Sequence, residues 1–227
     1  MAEYYQDDTY QRYQGFRLLA IDSSKLRLPE SREIRDDFGT INTTNGQDNN
    51  VIGKQAHGLA AVCDEVLNRM VIDRQLGGAR AYEVDLAVRH LPATQANDLL
   101  RLDRGSASDL RLATGIQPQR QFVVRGAAGA FQTARPMLAG LGADRQVINL
   151  TPSLGQRLTI IALGLPSSLT VRVVRVRLPN GELEVLVTNL LSEILFPTSS
   201  FSRLYHLRWG VETLYGVVKT RLQLENF

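Results

Sequence analysis

Two short apolar segments that each end in an aspartate place the strongest constraint on how this chain can fold. The segment "LLAID" ends at Asp22, and the segment "LLRLD" ends at Asp103. Small or turn-forming residues follow each one, which predicts a buried strand with a carboxylate at its C-terminal end. A carboxylate in that position lies at the rim of a sheet, where α/β domains bind their ligands.

Strand-like and helical patterns alternate through most of the chain. Residues 55–78 predict a pair of strands, 80–92 a helix, and "RQFVVRG" at 120–126 a buried strand. Residues 30–55 are polar and rich in Asn, Asp and Gly, which predicts a long loop. The order of these elements predicts an α/β fold with a mixed sheet flanked by helices.

The segment at 168–191 is the clearest hairpin in the sequence. Valine and arginine are interleaved up to Arg177, "PNG" predicts the turn, and a second strand-like run returns from Glu182. We place Arg172, Arg175 and Arg177 on one face of the first strand. Two interpretations stay open for that face, namely contact with DNA phosphates and simple exposure to solvent.

A run near the C-terminus, "YHLRWGVETLYGVVKTRLQ" at 205–223, predicts an amphipathic helix. At about 100° per residue, one stripe roughly 60° wide carries four polar side chains, namely Tyr205, Arg208, Glu212 and Lys219. Apolar residues form a neighbouring stripe that faces the core. The polar stripe is either a solvated face, with an i,i+4 ion pair worth only ~0.2–0.5 kcal/mol, or a binding surface.

The acidic residues predict a site for divalent cations. If the two strands that end in aspartate are neighbours, Asp22 and Asp103 meet at one point, and Glu212 adds a third carboxylate. One cysteine and three scattered histidines disfavour a zinc site, so the hard cations Mg²⁺ or Mn²⁺ are expected. Two such ions ~3.5–4 Å apart can bind both the attacking and the leaving oxygen of a phosphoryl displacement.

Composition narrows the protein class without identifying a partner. The 227 residues are 44% hydrophobic, which is typical of a globular protein, and 26 basic residues nearly balance 23 acidic ones. Residues 1–14 form a polar, tyrosine-rich segment without the apolar core of a signal peptide. No run approaches the ~20 apolar residues of a membrane span. We therefore expect a soluble intracellular protein that does not bind membranes.

The C-terminal motif resembles the signature of the IS4-type DDE transposases of bacterial insertion sequences. That signature is Tyr, two residues, Arg, three residues, Glu, six residues, Lys, and Tyr205, Arg208, Glu212 and Lys219 satisfy every gap. "LLAIDSSKLRLP" and "LLRLDRGSAS" are similar to the family's two aspartate segments, and "VLVTNLL" to the strand before its last helix. The resemblance covers the chain from about Gly15 to the end.

The resemblance implies a ribonuclease-H-like catalytic core over 15–227, with a β-rich insertion roughly between Gly126 and Asn189. It implies that Asp22, Asp103 and Glu212 bind two Mg²⁺ or Mn²⁺ ions, and that Tyr205, Arg208 and Lys219 contact DNA phosphates. The implied reaction is metal-dependent cleavage at the ends of a mobile DNA element, followed by strand transfer into target DNA. The implied setting is the cytoplasm of a bacterium, at the nucleoid, with a homodimer assembled on paired DNA ends.

Two departures from the family pattern keep other functions open. Ser23 follows Asp22 where the family usually has glycine, and the chain is short on both sides of the motifs, as in a truncated reading frame. The alternative is a truncated, non-catalytic remnant that binds DNA or inhibits a full-length partner. A third possibility is a ribonuclease-H-fold hydrolase of structured DNA or RNA.

Overall fold

A computed structural model describes residues 9–44, 51–102, 116, 120–126, 134–207 and 209–220. The strands in this part of the chain are β1 (Arg17–Arg27), β2 (Thr40–Thr44), β3 (Val51–Glu65), β4 (Met70–Gly78), β5 (Asp98–Leu102), β6 (Gln121–Gly126), β7 (Arg145–Leu150), β8 (Leu169–Arg177) and β9 (Leu183–Thr188). The helices are α1 (Arg32–Phe38), α2 (Glu83–His90), α3 (Ala134–Leu138), α4 (Leu154–Ala162), α5 (Ser200–His206) and α6 (Trp209–Thr220).

One mixed sheet contains all nine of these described strands. The order across it is β4-β3-β1-β5-β6-β9-β8-β7, and β2 pairs with the first part of β3. Strands β1, β5 and β6 are parallel to one another, while every other pairing is antiparallel. The order of β4, β3, β1, β5 and β6 is the ribonuclease-H-like arrangement, and β7 to β9 are the β-rich insertion that extends the sheet beyond β6.

Helices cover both faces of the sheet. On one face, which we call the α5 face, side chains including Leu18, Ala20 and Leu99 pack with Phe201 and Leu204 of α5. The opposite face is called the α2 face, and its cluster contains residues from β1, β5, α2, α3 and α4, namely Leu19, Leu100, Val84, Met137 and Ile160. The predicted mixed sheet flanked by helices is therefore confirmed. Within the described ranges, no helix has the length and apolarity needed to cross a membrane.

A buried ion pair at the start of β1 and β5 fixes the register of these two strands. Arg17 Nε and Nη2 donate to the two carboxylate oxygens of Asp98 at 2.8 and 2.6 Å, and both residues are almost fully buried. The parallel register pairs Arg17 with Asp98 and, four residues later, Ile21 with Leu102. Bidentate arginine–carboxylate pairs are geometrically specific, so this contact selects one alignment of β1 and β5.

The predicted loop at 30–55 is wrong, because α1, β2 and the start of β3 lie there. Ser31 caps α1 by accepting a hydrogen bond from the Ile34 N–H, and Gly39 ends it with φ of 81°. Polar residues can form these elements because α1 has no buried side chain and β2 lies at the margin of the sheet.

The prediction that the first strand ends at Asp22 is also wrong. Strand β1 continues to Arg27, because β3 pairs with it over Leu19 to Arg27 and supplies backbone partners beyond the end of β5. The C-terminal helical region has two segments, with α5 ending at His206 and α6 beginning at Trp209. The strand pair at 55–78, the helix at 80–92 and the hairpin at 168–191 are confirmed.

The three arginines of β8 do not share one face. Arg172 is buried on the α5 face, where it donates to Phe196 O at 2.6 Å and to Thr198 Oγ1 at 2.8 Å. Arg175 contacts Asp144, and Arg177 donates to Gly181 O within its own hairpin. Arg172 and Arg175 are three positions apart, and positions three apart on a strand point to opposite faces. The prediction of a single arginine face is therefore wrong. All three arginines therefore make contacts within the protein.

Candidate active site

Asp22 lies in the middle of β1, at the point where β5 ends beside it. The parallel pairing of β1 with β5 stops at Ile21 and Leu102, so Asp22 is the first β1 residue past that pairing. Side chains alternate along a strand, so Asp22 is on the α5 face with Leu18 and Ala20. Its side chain is half-buried.

Helix α6 is attached to β1 at this point by two side chains. The Tyr215 hydroxyl donates to Asp22 O at 2.9 Å and is 3.1 Å from Ala60 O of β3. One turn later, Lys219 Nζ donates to Lys25 O at 2.7 Å. The later of the two α6 residues, Lys219, contacts the later position on β1. The helix and the strand therefore run in the same general direction.

The electrostatics at this contact keep Tyr215 protonated. Burial raises the pKa of the Tyr215 phenol well above its usual value, and the nearby charge of the Asp22 carboxylate raises that pKa further. The hydroxyl therefore remains a hydrogen-bond donor at any physiological pH.

Glu212 occupies the same face of α6 as the two anchoring residues. Positions 212, 215 and 219 fall within a stripe roughly 60° wide on a helix, and Tyr215 and Lys219 both contact β1. The structure describes the backbone of Glu212 within α6 and that of Tyr205 within α5, but not their side chains. Asp103 and Arg208 lie outside the described residues.

Further acidic residues lie on β3, next to β1. Asp64 pairs with Ala20 and Glu65 with Leu19, and both acids are buried. Burial, together with the charge of Glu65, raises the pKa of Asp64 to about 6. Glu65 accepts hydrogen bonds from the backbone and side chain of Asn68, which marks it as a turn-forming residue.

Of the three predicted metal ligands, the structure describes the side chain of Asp22. Within the described ranges, no three His, Cys, Asp or Glu side chains are grouped to hold a metal ion. The single cysteine, Cys63, is buried in the core cluster of the α2 face, and burial raises the pKa of its thiol to about 12. Asp22 supplies a hard oxygen donor, which is the type of ligand that Mg²⁺ and Mn²⁺ prefer.

Sequence reasoning missed Tyr215, the residue that joins the last helix to the first strand. The only sequence signal for it was its helical spacing from Glu212 and Lys219, because three and seven residues are the separations that share a face. Its partners, the backbone oxygens of residues 22 and 60, carry no side-chain signal.

Comparison with known proteins gives a family that agrees with this fold. A family model described as the transposase DDE domain matches residues 13–227. No curated protein matches the chain. The match spans all the described strands and both helices of the C-terminal motif. The chain therefore belongs to the transposase DDE domain family, whose members act as nucleases on DNA and generally use divalent metal ions.

Proposed function

We propose that this chain is an IS4-type transposase core that cleaves DNA at the ends of a mobile element and transfers the freed strand into target DNA. In this proposal Asp22, Asp103 and Glu212 bind two Mg²⁺ or Mn²⁺ ions. Residues 15–227 form the catalytic core, with the insertion at roughly 126–189. The observation that carries the proposal is the hydrogen bond between Tyr215, one turn after Glu212, and the backbone of Asp22.

The register of β1 and β5 supports the pairing of the two aspartates. Arg17 and Asp98 form the buried ion pair, and each lies five residues before one of the proposed ligands, Asp22 and Asp103. Leu99 packs on the α5 face, and residues 101 and 103 are the next alternate positions of the chain. An extension of β5 by one residue brings Asp103 beside Asp22 on the α5 face.

The attachment of α6 supports the inclusion of Glu212. Two side chains on one stripe of the helix hold that stripe against β1, and Glu212 belongs to the same stripe. A residue three positions before Tyr215 shares its face of the helix, which supports the assignment of Glu212 as a ligand beside Asp22.

The remaining motif residues are assigned to the DNA backbone. Arg208 donates two parallel hydrogen bonds to a phosphate, Lys219 acts as a point charge, and Tyr205 acts as a neutral donor. The Lys219 ammonium has three donor hydrogens, and its bond to Lys25 O holds it beside β1, near Asp22. These contacts position the DNA without reading its sequence.

Within this site the protein orients the reacting groups. The carboxylates, held on a rigid strand and on an anchored helix, fix where the ions bind, and the basic side chains fix the phosphate between them. When bound, the two ions stabilise the attacking and leaving oxygens of the phosphoryl displacement. No covalent bond between protein and DNA is needed.

A plasmid-nicking assay tests the proposal. Purified protein is incubated with supercoiled plasmid and Mn²⁺, and with plasmid and a chelator. We expect nicking that requires the metal and that is lost in Asp22→Asn, Asp103→Asn and Glu212→Gln. The matched control is Asp36→Asn, an acid on the exposed helix α1, which should nick like the parent.

Three outcomes would each contradict a part of the proposal. If the three variants nick at the parental rate, the metal site lies elsewhere. If the parent binds DNA but never nicks it, the non-catalytic alternative is favoured. Loss of sequence preference at the DNA ends in Arg208→Ala or Lys219→Ala would argue against a purely phosphate-binding role for those residues.

A further inference from the structure

The outer edge of the inserted strands carries an unusual combination of features. β7 is the terminal strand of the sheet within the described residues. Edge strands in soluble proteins are normally protected from further pairing by lysines, prolines or bulges. The sequence of β7, "RQVINL", contains neither lysine nor proline, and its pairing with β8 shows no register shift. Its edge is therefore suited to pair with another strand.

The pairing pattern identifies which backbone groups of β7 point outward. The Arg175 N–H donates to Asp144 O, which makes these two opposed residues a hydrogen-bonded pair. Such pairs recur at every second residue of an antiparallel ladder. The even-numbered residues of β7 therefore bond to β8, and the backbone N–H and C=O groups of Arg145, Val147 and Asn149 point away from the sheet.

Exposed apolar residues flank this edge on the α2 face. Three residues separate the end of β7 from the start of helix α4, and Ile160 of α4 lies in the core cluster against which Ile148 and Leu150 of β7 also pack. The α4 residues Leu154, Leu158 and Ile161 are 69–82% exposed and form a stripe roughly 60° wide. Leucines on a helix stripe are normally buried, so this stripe is the surface of a helix that lacks part of its packing.

The α5 face at the same edge also carries exposed apolar residues. Val147 pairs with Arg172 and so lies on that face. Glu193 contacts both Arg145 of β7 and Arg172 of β8, which brings the turn containing Ile194 and Leu195 over these strands. Ile194 is 94% exposed and Leu195 is 66% exposed. Apolar surface thus borders the β7 edge on both sides.

We propose that two copies of this chain pair through β7, antiparallel and about a two-fold axis at Val147. The backbone groups of Arg145, Val147 and Asn149 would join the two sheets into one, α4 would pack beside its copy, and the 194–195 turns would meet on the other face. Pairing about Val147 sets Arg145 opposite Asn149 of the partner copy, so the one charged residue of β7 does not face its own copy.

The area of the apolar surface beside the β7 edge favours a second copy of this chain as the binding partner. Val147, Ile194, Leu195 and the three α4 residues are 57–94% exposed, and six large apolar side chains together supply an area on the order of the ~800 Å² that each partner buries in a standard stable interface. A two-fold interface uses the same patch on both chains, which suits a patch whose apolar surface lies on both sides of one edge. This inference does not depend on the metal site, and its test needs neither metal nor DNA.

Analytical ultracentrifugation of the full chain over a wide range of concentrations tests the proposal. We expect a reversible monomer–dimer equilibrium and no larger species, because a two-fold contact is closed. In the parent protein, the amide protons of Val147 and Asn149 should exchange more slowly at concentrations where the dimer forms. A protein that stays monomeric, or one that forms open-ended oligomers, would overturn the proposal.

Two substitutions test the β7 edge and the exposed stripe of α4 separately. In Val147→Pro the lost N–H points away from β8, so the fold is retained while the contact with the partner is lost. Leu158→Glu places a charge in the α4 stripe. Each should weaken dimerisation by roughly tenfold or more, since each change occurs twice in the interface. Val88→Glu, on the exposed side of α2, is the control and should dimerise like the parent. A dimer equally stable in Val147→Pro and Leu158→Glu contradicts the assigned surface.

Discussion

The Tyr215 hydroxyl connects the helix of the C-terminal motif directly to the backbone of Asp22. Its two acceptors belong to adjacent strands, β1 and β3. A side chain bonded across two strands is sensitive to small displacements of either one. Tyr215 therefore sets the distance between α6 and the sheet, and with it the position of Glu212.

We predict that Tyr215→Phe keeps the fold but lowers the nicking rate. Phenylalanine retains the ring and loses only the donor, which should cost about 0.5–1.5 kcal/mol of unfolding free energy. Because misplacement of a catalytic group by about 1 Å can cost up to a hundredfold, nicking should fall by roughly tenfold or more. Denaturant unfolding and plasmid nicking measure the two effects. Tyr82→Phe, at an exposed tyrosine, is the control, and equal nicking by both variants would contradict the positioning role.

Asp64 makes the stability of the protein depend on pH. Its carboxyl group is buried beside Glu65, and its pKa is raised to about 6, compared with about 3.9 in an unfolded chain. An acid with a raised native pKa binds its proton more tightly in the folded state. Its contribution to stability is therefore fully present below pH of about 4 and is lost as the pH rises through about 6.

Asp64→Asn should remove this dependence. At pH 8 the variant should be more stable than the parent by about 2–3 kcal/mol, and at pH 4 the difference should nearly vanish. Urea unfolding at both pH values measures it. Asp36→Asn serves as the control, since Asp36 lies on a solvent-exposed helix with no buried residue. A constant difference between parent and Asp64→Asn across this pH range would show that the carboxyl titrates normally.

At the scale of elements, the buried pair of Arg17 and Asp98 aligns β1 with β5. Both side chains are at most 6% exposed, so loss of one partner leaves an uncompensated charge in the interior. We predict that Asp98→Asn lowers the unfolding free energy by about 3–5 kcal/mol. The double variant Arg17→Met with Asp98→Leu should recover much of that loss, since apolar residues of similar size replace the pair. Guanidinium unfolding checks both, and a double variant no more stable than Asp98→Asn would contradict this account.

Local elements were largely predictable because their signals are local. The hairpin of β8 and β9, the β3–β4 pair and helix α2 all carry their own turn or periodicity signals, and all were predicted. Helix α1 and strand β2 were missed because they bury almost nothing and so lack an apolar pattern. The continuation of β1 past Asp22 was missed because the β3 residues that pair with it come 30 to 38 residues later in the chain.

The candidate site was predictable only in its residue types. The spacing of the C-terminal motif placed Glu212 and Lys219 on one face, and the described backbone of α6 agrees with that spacing. The contacts that assemble the site join distant parts of the chain. Arg17 and Asp98 are 81 residues apart, and Tyr215 bonds to a backbone oxygen, so neither contact leaves a pattern that a sequence can show.

At the scale of the whole molecule, Arg172 connects the inserted strands to the helices of the C-terminal motif. It reaches from β8 to the backbone of Phe196 and the side chain of Thr198, and its guanidinium lies 5.3 Å from the ring of Phe201 in α5. The segment it holds is the one from which α5 begins. The insertion therefore supports the helices that lead to Glu212.

We predict that Arg172→Met loosens α5 and α6 while leaving the central strands folded. Loss of the charged hydrogen bonds should cost about 2–4 kcal/mol. Hydrogen exchange should speed up in α5 and α6 and remain unchanged in β1 and β5. Arg177→Met, which removes an arginine bonded only within its own hairpin turn, is the matched control. Uniform loss of protection across the sheet would instead assign Arg172 to general core packing.

The contact between Tyr215 and the backbone of Asp22 joins residues 193 positions apart. During synthesis on the ribosome, β1 and its neighbouring strands can pair as soon as they emerge, but α6 reaches them only after it has left the exit tunnel. In the proposed active site, a nascent or prematurely terminated chain would therefore hold Asp22 without Glu212. Such a chain is expected to lack the proposed DNA-cleaving activity.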